Sequence, residues 1–449
     1  MTSPFFVLLL TTVSPLWNDF PHLANLIGAF SIATGGIFLW FLATTWKSPI
    51  TSLVVLFLFP TFPLLISTLG SETPLYIAFC LAAFAFYARK EYTLSAVMAS
   101  LATLTRPDGA LVLLLLAVGY INEVRSPIRW GVVLIILVII LPWFLFAWYY
   151  YGSPIPLTLF AKQHQGSMAI SQRFAPGFAT IIGGYADNLS YQLEAVLAVL
   201  GLISLLVFSQ QWMLFIFWQI LYLVSYSILG VSRYFWYYTP LVPGFITLVG
   251  LGFTTIQRQI VSIIEKVKHQ SLSQIRLLSI ITIIMVALFC FSHVITLQEL
   301  REAPDERYPI YREAGEWLRA NTPEYASVGT LEVGIIGYYS ERFMVDFAGL
   351  LQPDIASQLT STTTYDDAAC WAVIHYRPNY LVILEGTLPA LENSYVVQHC
   401  KAVHRIPGEI RGREVKLDIY SCIFDGTLLS PAIQAELETG ASIAGFNVQ

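Results

Sequence analysis

The sequence predicts a polytopic all-α membrane domain of about ten hydrophobic segments, followed by a small external α/β domain. Three observations predict it. Apolar residues make up 56% of the chain and charged residues only 12%, with a mean hydropathy of +0.65, outside the range of ordinary soluble domains. Helix-length apolar runs fill the chain from Leu23 to Ile295. The few charges among them are sorted by loop, which sets an orientation.

The opening run, Pro4–Trp17, is too short to span comfortably and is expected along the outer interface. Spans are expected at about 23–46, 49–69, 75–88, 92–105, 109–122, 130–150, 190–208, 211–229, 234–254 and 277–296, since a span needs roughly 20 apolar residues. The three between 75 and 122 are short, roughly 20 Å at 1.5 Å per residue. They read as tilted, re-entrant or stopping partway. Basic residues occupy alternate connections: Lys47, then Arg89 and Lys90, then Arg125 and Arg129, then Arg258, Lys266, Lys268 and Arg276. Positive loops stay cytoplasmic. The other connections, carrying Glu72, Arg106, Asp108, Lys162 and Arg233, then share the outer face.

Ten crossings that start outside return the chain outside. The protein is therefore expected in the cell inner or plasma membrane with its C-terminal part extracytoplasmic. Charge density jumps at Gln298–Glu302, dividing a transmembrane domain (1–297) from an α/β domain (298–449). In the tail, Tyr311–Ala320 and Asp366–Tyr376 read as helices. Val328–Val345 reads as short strands around Gly334 and Gly337, and Tyr380–Leu384, Tyr395–Ile406 and Val415–Tyr420 read as further strands.

The net charge of −5 comes mostly from the acidic tail and gives nucleic-acid binding no support. Cys80 and Cys290 lie in apolar runs and read as small hydrophobes. Cys370, Cys400 and Cys422 lie where a disulfide is permitted, but three cysteines leave one unpaired and spacing does not choose the pair. No CxxC motif or Cys/His cluster suggests a zinc site.

Each polar residue on the outer face has a plain structural reading. Glu72 sits beside Thr73 as a helix cap and Pro74 at the first helical position. Arg106 and Asp108, in Arg-Pro-Asp-Gly, fit a salt bridge that pins a turn between helices, yet such charges at a membrane boundary are costly unless exposed or paired. Tyr149, Tyr150 and Tyr151 fit an aromatic belt. Lys162 fits general contact with lipid phosphate. Arg233, before Tyr234, fits snorkelling, although guanidinium also binds phosphate oxygens by two bonds. Together, two acids and three cations on one face suit a lipid phosphate and a hydroxyl-rich ligand.

These residues carry a resemblance. Thr2-Ser3-Pro4 before an apolar helix, Glu72-Thr73-Pro74-Leu75-Tyr76, Leu104-Thr105-Arg106-Pro107-Asp108-Gly109, Tyr150-Tyr151-Gly152-Ser153-Pro154 running on to Lys162, Arg233-Tyr234, and Gly334–Tyr339 resemble GT-C fold membrane glycosyltransferases. The resemblance is to bacterial members similar to arabinofuranosyltransferases and protein mannosyltransferases. The resemblance implies a polyprenyl-phosphate-linked sugar donor and a glycan, lipid or protein acceptor. It implies substrate binding by Glu72, Arg106, Asp108, Lys162, Arg233 and Tyr234. No metal ligands can be assembled from these residues, though some relatives of the fold use a divalent cation.

One departure matters. Such enzymes begin with a further helix and an outer loop carrying one or two aspartates, one of them the general base. Here Thr2-Ser3-Pro4 follows Met1 at once, and the first acid, Asp19, comes after the first apolar run. The catalytic role is not carried to Asp19. The departure implies an N-terminally truncated chain, a misassigned start, or an inactive form. The competing reading is a non-enzymatic protein that binds or transports a lipid-linked substrate. A transporter would more often show charged residues buried midway in spans, or paired broken helices in two similar halves; neither is found in the sequence, and the large external domain fits a transferase better.

Overall fold

A computed structural model describes residues 3–17, 19–124, 130–267 and 272–422. The expected cytoplasmic charges Arg125, Arg129 and Lys268 fall outside the described residues, as does Thr2. The chain divides into two compact units. The first comprises Met1–Ile155, Ala175–Ile228 and Tyr234–Leu300, and the second Pro156–Phe174, Leu229–Arg233 and Arg301–Gln449. The second unit therefore takes in two short segments from within the helical part as well as the tail.

In chain order the helices of the first two-thirds are α1 (Pro4–Val13), α2 (Phe20–Thr45), α3 (Pro49–Leu58), α4 (Pro63–Ile66), α5 (Thr73–Ala88), α6 (Tyr92–Thr105) and α7 (Gly109–Val124). They continue as α8 (Trp130–Tyr151), α9 (Leu157–Ser167), α10 (Phe174–Gly183), α11 (Leu189–Val207), α12 (Met213–Leu229), α13 (Val242–Val267) and α14 (Leu272–Glu302). Six of the helical stretches are long and apolar enough to cross a membrane, among the described residues. The chain is a polytopic membrane protein. The expected span at 49–69 is broken at Pro60 and Pro63 into α3, a 3-10 turn and α4, because proline withholds the N–H that would continue the helix. The three short segments are helices of 16, 14 and 16 residues. α8 presents Leu134, Val138, Leu145 and Trp148 outward, the surface that a lipid-facing helix requires.

Glycine permits a close contact between α11 and α13. A Cβ on Gly201 of α11 would lie 1.9 Å from the Leu248 carbonyl oxygen of α13, and one on Gly252 would lie 2.0 Å from that of Leu197. Two backbones touch here, as small residues permit in membrane bundles.

The second unit holds a five-stranded sheet of order β2-β1-β3-β5-β4. Its strands are β1 (Ser327–Thr330), β2 (Phe343–Asp346), β3 (Tyr380–Leu384), β4 (Lys401–Ile410) and β5 (Arg413–Ser421). β1 is parallel to β2 and β3, and β5 is antiparallel to β3 and β4. β3 is buried on both faces, the signature of a sheet covered by helices. Val382 packs with Ile310 and Leu318 of α15 (Arg307–Asn321). Leu381 and Ile383 pack with Ala369 and Val373 of α18 (Tyr365–Tyr376). α16 (Val333–Ser340) and α17 (Pro353–Ser357) complete the connections.

Two expectations need correction. Gly334 and Gly337 lie in helix α16, not in strands; Gly337 lets Met344 approach to 3.0 Å from where its Cβ would be. Residues 392–399 are helical, so the strand expected from Tyr395 starts only at Lys401. Cys400 and Cys422 form the disulfide and Cys370 stays free. Burial pushes the Cys370 thiol up to about 12, with Asp366 and Asp367 adding to the push.

Candidate functional site

In the helical unit the turn between α6 and α7 sets the geometry. α6 ends at Thr105 because Pro107 disfavours helical backbone at Arg106, and Arg106 is extended. A Cβ on Gly109 would overlap the Ala102 carbonyl, so the turn folds tightly back on α6. This delivers the Arg106 side chain, 5% exposed, onto Asp108, 8% exposed. Arg106 Nη2 donates to Asp108 Oδ2 at 2.7 Å and Nε to both carboxylate oxygens at 3.2 Å.

The remaining guanidinium capacity is also used. Nη1 donates to Thr73 Oγ1 at 3.1 Å and Nη2 to the Tyr226 hydroxyl at 3.0 Å. Tyr226 donates to Asp108 Oδ2 at 2.8 Å, and Tyr222 donates to the Tyr237 carbonyl at 3.0 Å. The Tyr76 and Tyr237 rings face the guanidinium at 5.1 and 5.6 Å, a cation–π setting. The Thr73 hydroxyl is therefore a ligand of Arg106 and does not cap α5, which begins at Thr73 itself. Glu72 lies 3.8 Å from Arg106 Nη1 and remains 28% exposed. It is the accessible acid of this group.

Arg106 thus stands between Glu72 and Asp108. That placement is unsuited to a divalent cation, which would face a guanidinium at the same point. Among the described residues no group of three or more His, Cys, Asp and Glu is arranged to hold a metal.

Lys162 and Arg233 belong to the other unit. There the Ser232 N–H donates to the Lys162 carbonyl at 3.0 Å and the Arg233 N–H to the Gln172 carbonyl at 2.7 Å. Ser232 and Lys162, 70 apart in sequence, become neighbours along this crossing. Gly166 permits it, since a Cβ there would overlap the Gly230 carbonyl at 2.3 Å. Arg173 joins them by pairing with Ser232 as an isolated bridge and donating from Nε to the Gly166 carbonyl at 3.1 Å. His164 and Gln165 are structural, bonding the Leu359 and Ala348 carbonyls. Tyr234, in the helical unit, stacks on Trp236 with ring centroids 4.4 Å apart.

Sequence reading missed Thr73, Tyr222, Tyr226 and Tyr237 as partners of Arg106, and Arg173 beside Lys162. Tyr222 and Tyr226 sit at i and i+4 on α12, the one signal that a shared face existed. It also missed a fully buried pair in the helical unit. His293 Nε2 lies 3.1 Å from Glu194 Oε1, His293 Nδ1 lies 3.2 Å from Thr61 Oγ1, and the Tyr191 ring stacks on the imidazole. Beyond Tyr191 and Phe62 opens an apolar cavity of about 390 Å³ that Tyr185, Phe178 and Tyr238 also line. Asp19 caps α2, its carboxylate held below the ordinary range first by the His22 N–H and also by the His22 ring.

A family profile described as a domain of unknown function (DUF8728) matches residues 298–420. No curated protein matches by sequence. Among solved structures, the chain is similar to ArnT from Cupriavidus metallidurans in the apo state, at 16% identity and a TM-score of 0.59, covering 93% of this chain and 87% of that one. It is similar also to ArnT from the same organism bound to undecaprenyl phosphate, at 15% identity and a TM-score of 0.58 with the same coverage. The fold is GT-C.

Proposed function

We propose that this chain is a membrane glycosyltransferase that moves a sugar from a polyprenyl-phosphate donor to a glycan, lipid or protein acceptor. The reaction is assigned to the extracytoplasmic face of the inner membrane. The observation that carries this reading is the fold itself, shared over 93% of the chain with a protein seen bound to undecaprenyl phosphate.

The acceptor hydroxyl attacks the anomeric carbon, the bond from that carbon to the phosphate oxygen breaks, the hydroxyl proton ends on the departing phosphate, and polyprenyl phosphate leaves. Charge developing on the departing phosphate needs cations already in place. Lys162 and Arg233 are assigned that role, supported by the backbone bond that ties Lys162 to Ser232, the residue before Arg233. Glu72, accessible and held near Arg106, is assigned to the hydroxyls of sugar or acceptor. Arg106 and Asp108 act as the frame that places Glu72 and the start of α5. Tyr234, stacked on Trp236, supplies an aromatic surface to the substrate.

Donor binding tests this reading. In lipid nanodiscs, Arg233→Ala should weaken binding of a polyprenyl-phosphate sugar about 10- to 100-fold, the worth of a charged hydrogen bond. Unchanged affinity removes Arg233 from the site.

A further inference from the structure

The α/β unit carries a crevice whose lining includes none of the residues assigned above to transfer. From β1 the chain passes through α16 to β2 on one side, then through α17 and α18 to β3 on the other side of β1. β1, β2 and β3 run parallel, so the loops leaving β1 and β3 diverge. In open α/β sheets that divergence, beyond the strands' carboxyl ends, is where ligands bind. A cavity of about 710 Å³ lies there, within the range of small-molecule sites. The whole of it falls inside the segment matched by the domain of unknown function.

Its lining selects the ligand. Tyr311, Val382, Leu388 and Leu417 give it apolar surface. Thr330, Glu332 and Thr387, from the ends of β1 and β3, give it a polar rim with Asp305 and Arg307 from the start of α15. Three lining acids (Asp305, Glu306, Glu332) outnumber two lining arginines (Arg307, Arg411). Arg307 is already neutralised, donating to Asp305 at 2.7 and 2.9 Å and to Glu332 at 3.3 Å. A phosphate or nucleotide would meet net negative charge here. A neutral polyhydroxyl ring suits it, with hydroxyls bridging carboxylate acceptors and guanidinium donors and its carbon face against the apolar wall. Burial pushes the Glu332 carboxyl above its ordinary value against the opposing pull of Arg307, and its Oε1 accepts from Arg307 Nη1.

We propose that this crevice is a binding site for a neutral sugar residue of a glycan. The test uses the full-length protein in nanodiscs without any lipid-linked donor. Saturation-transfer NMR and calorimetry are run with methyl glycosides of glucose, galactose, mannose and arabinofuranose, and with inorganic phosphate and glucose 1-phosphate. Saturable millimolar binding of at least one neutral glycoside is expected, weakened about tenfold in Glu332→Gln and in Arg307→Ala. Should Arg307→Ala fail to fold, the near-isosteric Glu332→Gln carries the comparison. No neutral glycoside binding, unchanged binding in Glu332→Gln, or tighter binding of either phosphate probe overturns the proposal. Binding is read without turnover, so a protein that binds glycosides but transfers nothing keeps this site and loses the transferase reading.

Discussion

At Arg106 the guanidinium is committed to Asp108, Thr73 and Tyr226, which makes it a strut. Removing one member of a buried ion pair strands the other, at about 3–5 kcal/mol. Arg106→Ala should therefore lower the melting temperature in detergent, and a double-mutant cycle with Tyr226→Phe should show coupling. A melting temperature equal to the parent's would contradict the strut. Glu72 is different, being partly exposed and 3.8 Å from its cation. Glu72→Gln should leave melting unchanged and cut transfer about 10- to 100-fold, read as kcat/KM. The plain sequence reading of Arg-Pro-Asp-Gly as a pinned turn captured the Arg106–Asp108 bond. Its tyrosine partners come from α12, more than 110 residues away, and no local spacing encodes them.

At the scale of elements, the α11–α13 crossing rests on Gly201 and Gly252 against opposing carbonyls. Gly201→Val and Gly252→Val should each destabilise the helical unit by about 1–3 kcal/mol through overpacking. Matched substitutions at Gly131, where a Cβ meets nothing within 4 Å, should not. In the sheet, Arg405 bridges β4 to Asp418 of β5 at 2.6 and 2.7 Å. Arg405 first, and the Tyr420 hydroxyl with it, hold Asp418 below the ordinary 3.8. A lowered folded value means stability present above pH 3.8 and lost as pH falls through that lower value. Asp418→Asn should flatten the acid limb of unfolding, followed by circular dichroism across the pH range; an unaltered acid limb would remove this pair as its cause. β3 was readable because Tyr-Leu-Val-Ile-Leu is a continuous apolar run, whereas α16 was not. Its glycines mimic a strand boundary, and its helical character comes from packing against α15 (a Cβ on Gly315 would meet Tyr339 at 2.7 Å).

For the whole molecule, hydropathy made the helical part and the smaller α/β part legible, since composition alone separates the two environments. What it concealed were pairings between distant segments. Ser232 meets Lys162, and His293 meets Glu194 inside apolar runs where neither stands out. The proposed function gives Lys162 and Arg233 a lipid phosphate to neutralise, and this is the claim to test first. The purified protein in nanodiscs should be supplied with a radiolabelled polyprenyl-phosphate sugar and an envelope extract as acceptor, and label transfer followed. The account predicts transfer by the parent protein and loss of most of it in Lys162→Ala and Arg233→Ala, both folded. Undiminished transfer in both variants would contradict it.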